Sequence, residues 1–172
     1  MILGIDMGAS AVKLCALEGG EIALTHYQPG RDVYVPSLLA ALGVDPAKAE
    51  RVAVTGLSAR RSGLESLGCE PQYLPEPDSI GAGAQWLTGR DDLIVASIGT
   101  GTAFVHAKGG EYRHLCGTGV GGGTLRGLAQ RVLGMADMRA FDALALSGDT
   151  RRVDLLIGDF VESCGQLDPC LT

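Results

Sequence analysis

The sequence predicts an α/β protein made from two copies of one βββαβα-type unit. Short β-branched runs alternate with segments of helical spacing, the pattern of a mixed sheet with helices on its faces. The order strand, glycine turn, strand, Gly-Gly-Glu turn, strand also occurs twice. Ile5-Asp6-Met7-Gly8 leads to Gly19-Gly20-Glu21, and Ile98-Gly99-Thr100-Gly101 leads to Gly109-Gly110-Glu111. Finally, 46% of the 172 residues are apolar and 20% charged, enough to bury a core and too few charges for a disordered chain.

The first copy occupies residues 1–91. Met1 to Met7 reads as a buried strand, Gly8-Ala9-Ser10 as a turn, and Ala11 to Leu17 and Glu21 to Tyr27 as two further strands of an antiparallel meander. Val35 to Leu42 has helical spacing and is closed by Gly43. Arg51 to Thr55 is a fourth strand, Ser58 to Leu67 a short helix, and Gln72 to Leu74 a fifth strand. Asp78 or Ser79 can cap a helix running to about Leu87, with Trp86 expected in the core. The second copy occupies 92–172: strands Asp92 to Ile98, Thr102 to Ala107 and Tyr112 to Cys116, then helices near Thr124–Leu133 and Met138–Leu146. Val153 to Val161 has no clear assignment, and no segments remain for fourth and fifth strands, so this copy reads as incomplete.

Charge and cysteine usage narrow the function. Fourteen basic residues against twenty acidic ones, with Arg60-Arg61 and Arg151-Arg152 as the only basic pairs, argue against nucleic acid or an anionic membrane as partner. No apolar run approaches the roughly 20 residues of a spanning helix, and an acid at position 6 is foreign to a secretory leader. Cys15, Cys69, Cys116, Cys164 and Cys170 form no CxxC, so buried thiols in a reducing cytoplasm are expected, without zinc.

The chemistry gathers at glycine-rich turns. Asp6-Met7-Gly8-Ala9-Ser10-Ala11-Val12-Lys13 follows a strand. Asp6 can orient the water shell of a magnesium ion, the N–H groups around Gly8 and the Ser10 hydroxyl can hold phosphate oxygens, and Lys13 adds charge. The alternative is an ordinary hairpin with a capping Asp. Gly99-Thr100-Gly101-Thr102 occupies the equivalent turn of the second copy, so Thr100, Gly101 and Thr102 are candidates to grip the same polyphosphate from the other side. Gly117 to Gly122 matches G-x-G-x-x-G. A dinucleotide site would need an acid after a further strand, and Asp142 falls in a helical segment. Gly119, Gly121, Gly122 and Gly123 are therefore read as a turn facing a nucleotide. Glu76, between Pro75 and Pro77, is either a general base for an acceptor hydroxyl or a helix-start carboxylate satisfying the dipole. Arg113 or His114 can neutralise a phosphate or substrate oxygen, or be surface residues.

Together DMGASAVK (6–13), EPD (76–78), IGTGT (98–102) and GTGVGGGTLRGL (117–128) resemble the acetate and sugar kinase/Hsp70/actin superfamily, and within it the type II pantothenate kinases. The likeness continues through SGDTRRVDLLIGD (147–159). It implies an actin-like ATPase (ribonuclease H-like) fold and ATP-dependent phosphorylation of pantothenate, with Mg²⁺ and in a homodimer. Asp6 is then the residue beside the metal, Glu76 falls on the catalytic acid, and Arg113 is preferred to His114 as the basic residue. Ala9 and Ser10 replace the second glycine and threonine of the usual D-x-G-G-T, keeping the hydroxyl. The family's adenosine-binding strands would follow residue 172. A nucleotide-binding fragment or sensor without turnover, a kinase for another hydroxylated acceptor such as an amino sugar, and a nicotinamide-dependent oxidoreductase are the alternatives.

Overall fold

A computed structural model describes residues 1–30, 32–56 and 63–171, Thr150 by its backbone alone. The chain divides into two compact units, Met1–Thr124 and Leu125–Thr172.

The first unit holds two sheets. Strands β1 (Ile2–Met7), β2 (Ala11–Glu18) and β3 (Glu21–Pro29) form the expected meander, because the turns between them are short and Gly19 and Gly20 take left-handed φ. Strands β4 (Arg51–Thr55) and β5 (Gln72–Tyr73) add to β1 in parallel, giving the order β3-β2-β1-β4-β5. Alternation sends Leu3, Ile5 and Met7 of β1, Val12 and Leu14 of β2, and Val52 and Val54 of β4 to one face. There they meet Val35 and Leu39 of helix α1 (Val35–Ala41), all almost fully buried. The opposite residues on β1, Gly4 and Asp6, are thereby turned to the other face. The first half of the helix expected over Ser58 to Leu67, with Arg60-Arg61, lies outside the described residues, and Leu64–Ser66 form one 3₁₀ turn.

The helix α2 (Glu76–Thr88) begins earlier than expected. Neither Asp78 nor Ser79 caps it. Pro75 takes the N-cap position, without a side-chain hydrogen bond, and Glu76 and Pro77 are the first two helical residues. The proline ring suits that place, since its φ is already helical and its absent N–H had no partner there. Trp86 is 53% exposed rather than in the core, because α2 turns its Gly81 side to the second sheet. That sheet has the order β6-β7-β8, from β6 (Asp92–Ile98), β7 (Thr102–Lys108) and β8 (Glu111–Thr118), all antiparallel. Tyr112 of β8 lies against Gly81 and donates its hydroxyl to Gln85 Oε1 at 3.1 Å, fixing α2 to the sheet.

Helix α3 (Gly122–Leu133) leaves the first unit. Within the second unit, helix α4 (Met138–Leu146) is capped by Asp137, whose Oδ1 accepts from Arg139 N at 2.9 Å. Asp142 therefore does lie in a helix. The short α5 (Ile157–Phe160) lies inside the unassigned Val153–Val161 segment. All five cysteines are free, and no described helix is long and apolar enough to cross a membrane.

Candidate functional site

The two glycine turns meet. A cleft of about 240 Å³ is lined by Asp6, Gly8 and Ser10 of the first turn, Thr100, Gly101 and Thr102 of the second, and Glu76 at the head of α2. This is smaller than the roughly 300–1,000 Å³ of clefts that enclose a whole drug-sized ligand, and suits the polyphosphate arm of one.

The first turn brings an acid and a base together. Asp6 and Lys13 are register partners on β1 and β2, and Lys13 Nζ donates to Asp6 Oδ2 at 2.8 Å. Both are partly exposed, so the pair adds no more than about 1 kcal/mol to stability. Its effect is on placement. Lys13 engages one carboxylate oxygen, Oδ2, of a residue that lines the cleft. Among the described residues no three His, Cys, Asp or Glu come together as a metal nest. Asp6 with ligand phosphates and water fits magnesium all the same, since Mg²⁺ takes only one or two carboxylates and keeps several waters.

The second turn is tied to the first and to the glycine run behind it. Ser10 Oγ and Thr100 Oγ1 are 2.9 Å apart, a hydrogen bond across 90 residues of sequence. Gly99 N donates to Gly101 O at 2.8 Å, closing the turn on itself. Thr102 Oγ1 donates to Val120 O at 2.8 Å. Gly122 N donates to Gly99 O at 2.8 Å and Gly123 N to Thr100 O at 3.1 Å. The first amides of α3 are thus spent on the turn rather than directed to a ligand. A Cβ on Gly121 would stand 2.7 Å from Gly101 O, and one on Gly123 2.8 Å from Thr100 Cγ2. Those two positions admit only glycine because backbone lies against the turn there. Gly119, Gly121, Gly122 and Gly123 do not line the cleft.

Glu76 is exposed and, among the described residues, has no hydrogen bond or ion pair, so its carboxylate is free to take a proton. Arg113 and His114 do not line the cleft either. Tyr112 faces α2, so its neighbour Arg113 projects from the opposite face of the sheet, in register with His106. On that sheet Asp92 accepts from His106 Nε2 at 2.8 Å and Lys108 Nζ at 2.6 Å. The bonds from Lys108 and then His106 hold its carboxyl below the usual range, and Asp92 raises Lys108. Two cleft residues, Ser97 and Thr118, were not singled out from sequence. The signal available was their place beside the glycine turns, in Ser97-Ile98-Gly99 and Gly117-Thr118-Gly119.

Two sheets that each open with an antiparallel hairpin, with a glycine turn from each at one cleft, define the actin-like ATPase fold of the sugar kinases. A component of (R)-2-hydroxyglutaryl-CoA dehydratase from Acidaminococcus fermentans has a similar structure, with TM-score 0.66 at 18% identity over 86% of this chain and 59% of that one. A Porphyromonas gingivalis protein provisionally named N-acetylglucosamine kinase follows at 0.52 and 16%, over 95% of this chain and 68% of that one. Within that class the chain is similar to proteins named type II pantothenate kinase. It is 28% identical to the enzyme of that name from Oceanobacillus iheyensis over 99% of this chain and 64% of that one. It is 27% identical to that from Staphylococcus haemolyticus over 91% and 59%. The Fumble family model matches residues 92–167. The chain therefore spans about 60% of the length of these relatives.

Proposed function

We propose that the chain belongs to an ATP-dependent pantothenate kinase, which makes 4′-phosphopantothenate as the first step toward coenzyme A. The supporting observation is the convergence of Asp6, Ser10, Thr100 and a free Glu76 carboxylate on one cleft, in a relative of the type II pantothenate kinases. In this reading the acceptor hydroxyl gives its proton to Glu76 as its oxygen bonds to the γ-phosphorus. The bond from that phosphorus to the bridging oxygen breaks in line, and ADP leaves. Ser10 and Thr100 hold the β- and γ-phosphate oxygens, and Lys13 keeps Asp6 in place. Magnesium, when bound, neutralises charge building on the bridging oxygen. Gly8, Gly101 and Thr102 shape the cleft wall, and Gly119 and Gly121–Gly123 hold the second turn from behind. The reading carries with it a cytoplasmic homodimer without nucleic acid or membrane partner, and two repeats divided as 1–91 and 92–172.

The test is ADP release with Mg-ATP and pantothenate, for the chain and for Glu76→Gln, after circular dichroism shows both folded. Pantothenate-dependent turnover that falls at least about a hundredfold in the variant is expected. Equal turnover in both would sink the role of Glu76. The size of the cleft, suited to the polyphosphate arm of a nucleotide, also fits a second reading, nucleotide binding without turnover. It predicts Mg-ADP binding by a folded chain that releases no product.

A further inference from the structure

We propose that Thr118 is a further phosphate ligand of the cleft, donating its hydroxyl hydrogen to an anionic oxygen. The inference rests on the nucleotide reading of the site. It comes from following the hydroxyl hydrogens of Ser10, Thr100, Thr102 and Thr118; the fifth hydroxyl of the cleft, on Ser97, has no side-chain hydrogen bond among the described residues to orient it. Thr102 spends its hydrogen on Val120 O at 2.8 Å. Ser10 and Thr100 share one bond at 2.9 Å, which spends one of their two hydrogens. Those three residues thus offer a polyphosphate a single O–H.

Thr118 is differently placed. It lines the same cleft at the end of β8, directly across the ladder from Thr102. Its Oγ1 accepts from Val120 N at 3.1 Å, so the oxygen is already oriented by the backbone. Its hydrogen has no acceptor among the described residues, and the residue is exposed. A hydroxyl with one lone pair engaged and its hydrogen free is set to donate. That matches a phosphate oxygen, which accepts, better than a metal-bound water, which itself donates. Because β8 and the glycine run fix it before any ligand arrives, little side-chain freedom is lost on binding.

The experiment is calorimetric titration of Mg-ADP and, separately, of magnesium pyrophosphate into the 172-residue chain and its variants. Thr118→Val and Thr118→Ala are expected to weaken both ligands by about tenfold or more, as for loss of a hydrogen bond to a charged group. Thr118→Ser, which keeps the hydroxyl, is expected to stay within about threefold of the parent. Should Thr118→Val fail to fold, the Ala and Ser variants still differ by the hydroxyl alone. Thr124→Val separates ligand contact from loosening of the turn. Thr124 Oγ1 donates to Gly119 O and accepts from Gly121 N in the same glycine run, yet does not line the cleft. It is expected to bind within about threefold of the parent. Thr118→Ala binding as well as Thr118→Ser, equal weakening by Thr124→Val, or a loss confined to Mg-ADP would each overturn the assignment. A parent chain that binds neither ligand would overturn the nucleotide reading itself, and the assignment with it.

Discussion

Adding one methyl group at Gly121 tests whether the glycine run acts as a brace for the phosphate turn. In Gly121→Ala the new Cβ would lie 2.7 Å from both the carbonyl carbon and the oxygen of Gly101, and 2.8 Å from its Cα. All three are backbone atoms, so no side chain can swing away. Restoring ordinary contact, which begins at 3.4 Å, requires the run and the turn to part by roughly 0.7 Å. That movement loads the two bonds joining them, Gly122 N to Gly99 O and Gly123 N to Thr100 O, and shifts Thr100 away from Ser10. Overpacking of this kind costs about 1–3 kcal/mol, which lowers Tm by roughly 2–10 °C for a chain of this size. Mg-ADP affinity is expected to fall by about tenfold or more, because the hydroxyls proposed to hold phosphate lose their spacing. The comparison is Gly119→Ala, two residues earlier in the same run, where a Cβ meets nothing within 4 Å. Thermal melts and calorimetry on both variants decide the matter. If Gly121→Ala melts and binds like Gly119→Ala, the brace does not exist and the run must be assigned another role.

Two further outcomes follow from side-chain surroundings. Burial pushes the Cys15 thiol up, whereas Cys116 and Cys170 are exposed. Iodoacetamide at pH 8 should therefore modify Cys116 and Cys170 before Cys15, as peptide mass spectrometry would read, and Cys15 reacting first would contradict the structure. On the second sheet, Lys108→Met should raise the Asp92 titration toward the usual carboxylate range, followed by NMR of its carboxyl carbon, because its largest cause is removed. The sign is set by the depressed folded value. The charged cluster helps the fold above the usual carboxylate range and ceases to help as pH falls through the lowered value of Asp92. An unchanged titration would mean that the ion pair does not form.

Much of the fold could be read from local pattern. Alternating apolar residues and paired glycines settle the β1–β2–β3 meander and its repetition in β6–β7–β8, because a strand face and a tight turn are decided by neighbours two to four residues away. The spacing of Val35 to Leu42 and of Met138 to Leu146 likewise marks α1 and α4, and the turn motifs at Asp6 and Gly99 mark two segments that line the cleft. Pattern failed where prolines overrode a candidate cap and where the deciding atom was distant in sequence. Asp78 and Ser79 had the right side chains to cap α2, but two prolines set the backbone three residues earlier. Trp86 had the composition of a core residue, yet Tyr112 on a later strand took the α2 face that the sheet could cover. The glycines at 121–123 carried the signature of a phosphate loop, and the amides of Gly122 and Gly123 turned out to be bound to the carbonyls of Gly99 and Thr100. Sequence alone thus determined the two meanders, α1, α4 and the bare turns, since those follow from short-range sterics and hydrophobic period. Only the tertiary structure decided that Ser10 meets Thr100, that Glu76 joins them, and which hydroxyl hydrogens are left for a ligand, because each depends on atoms brought together by chain folding.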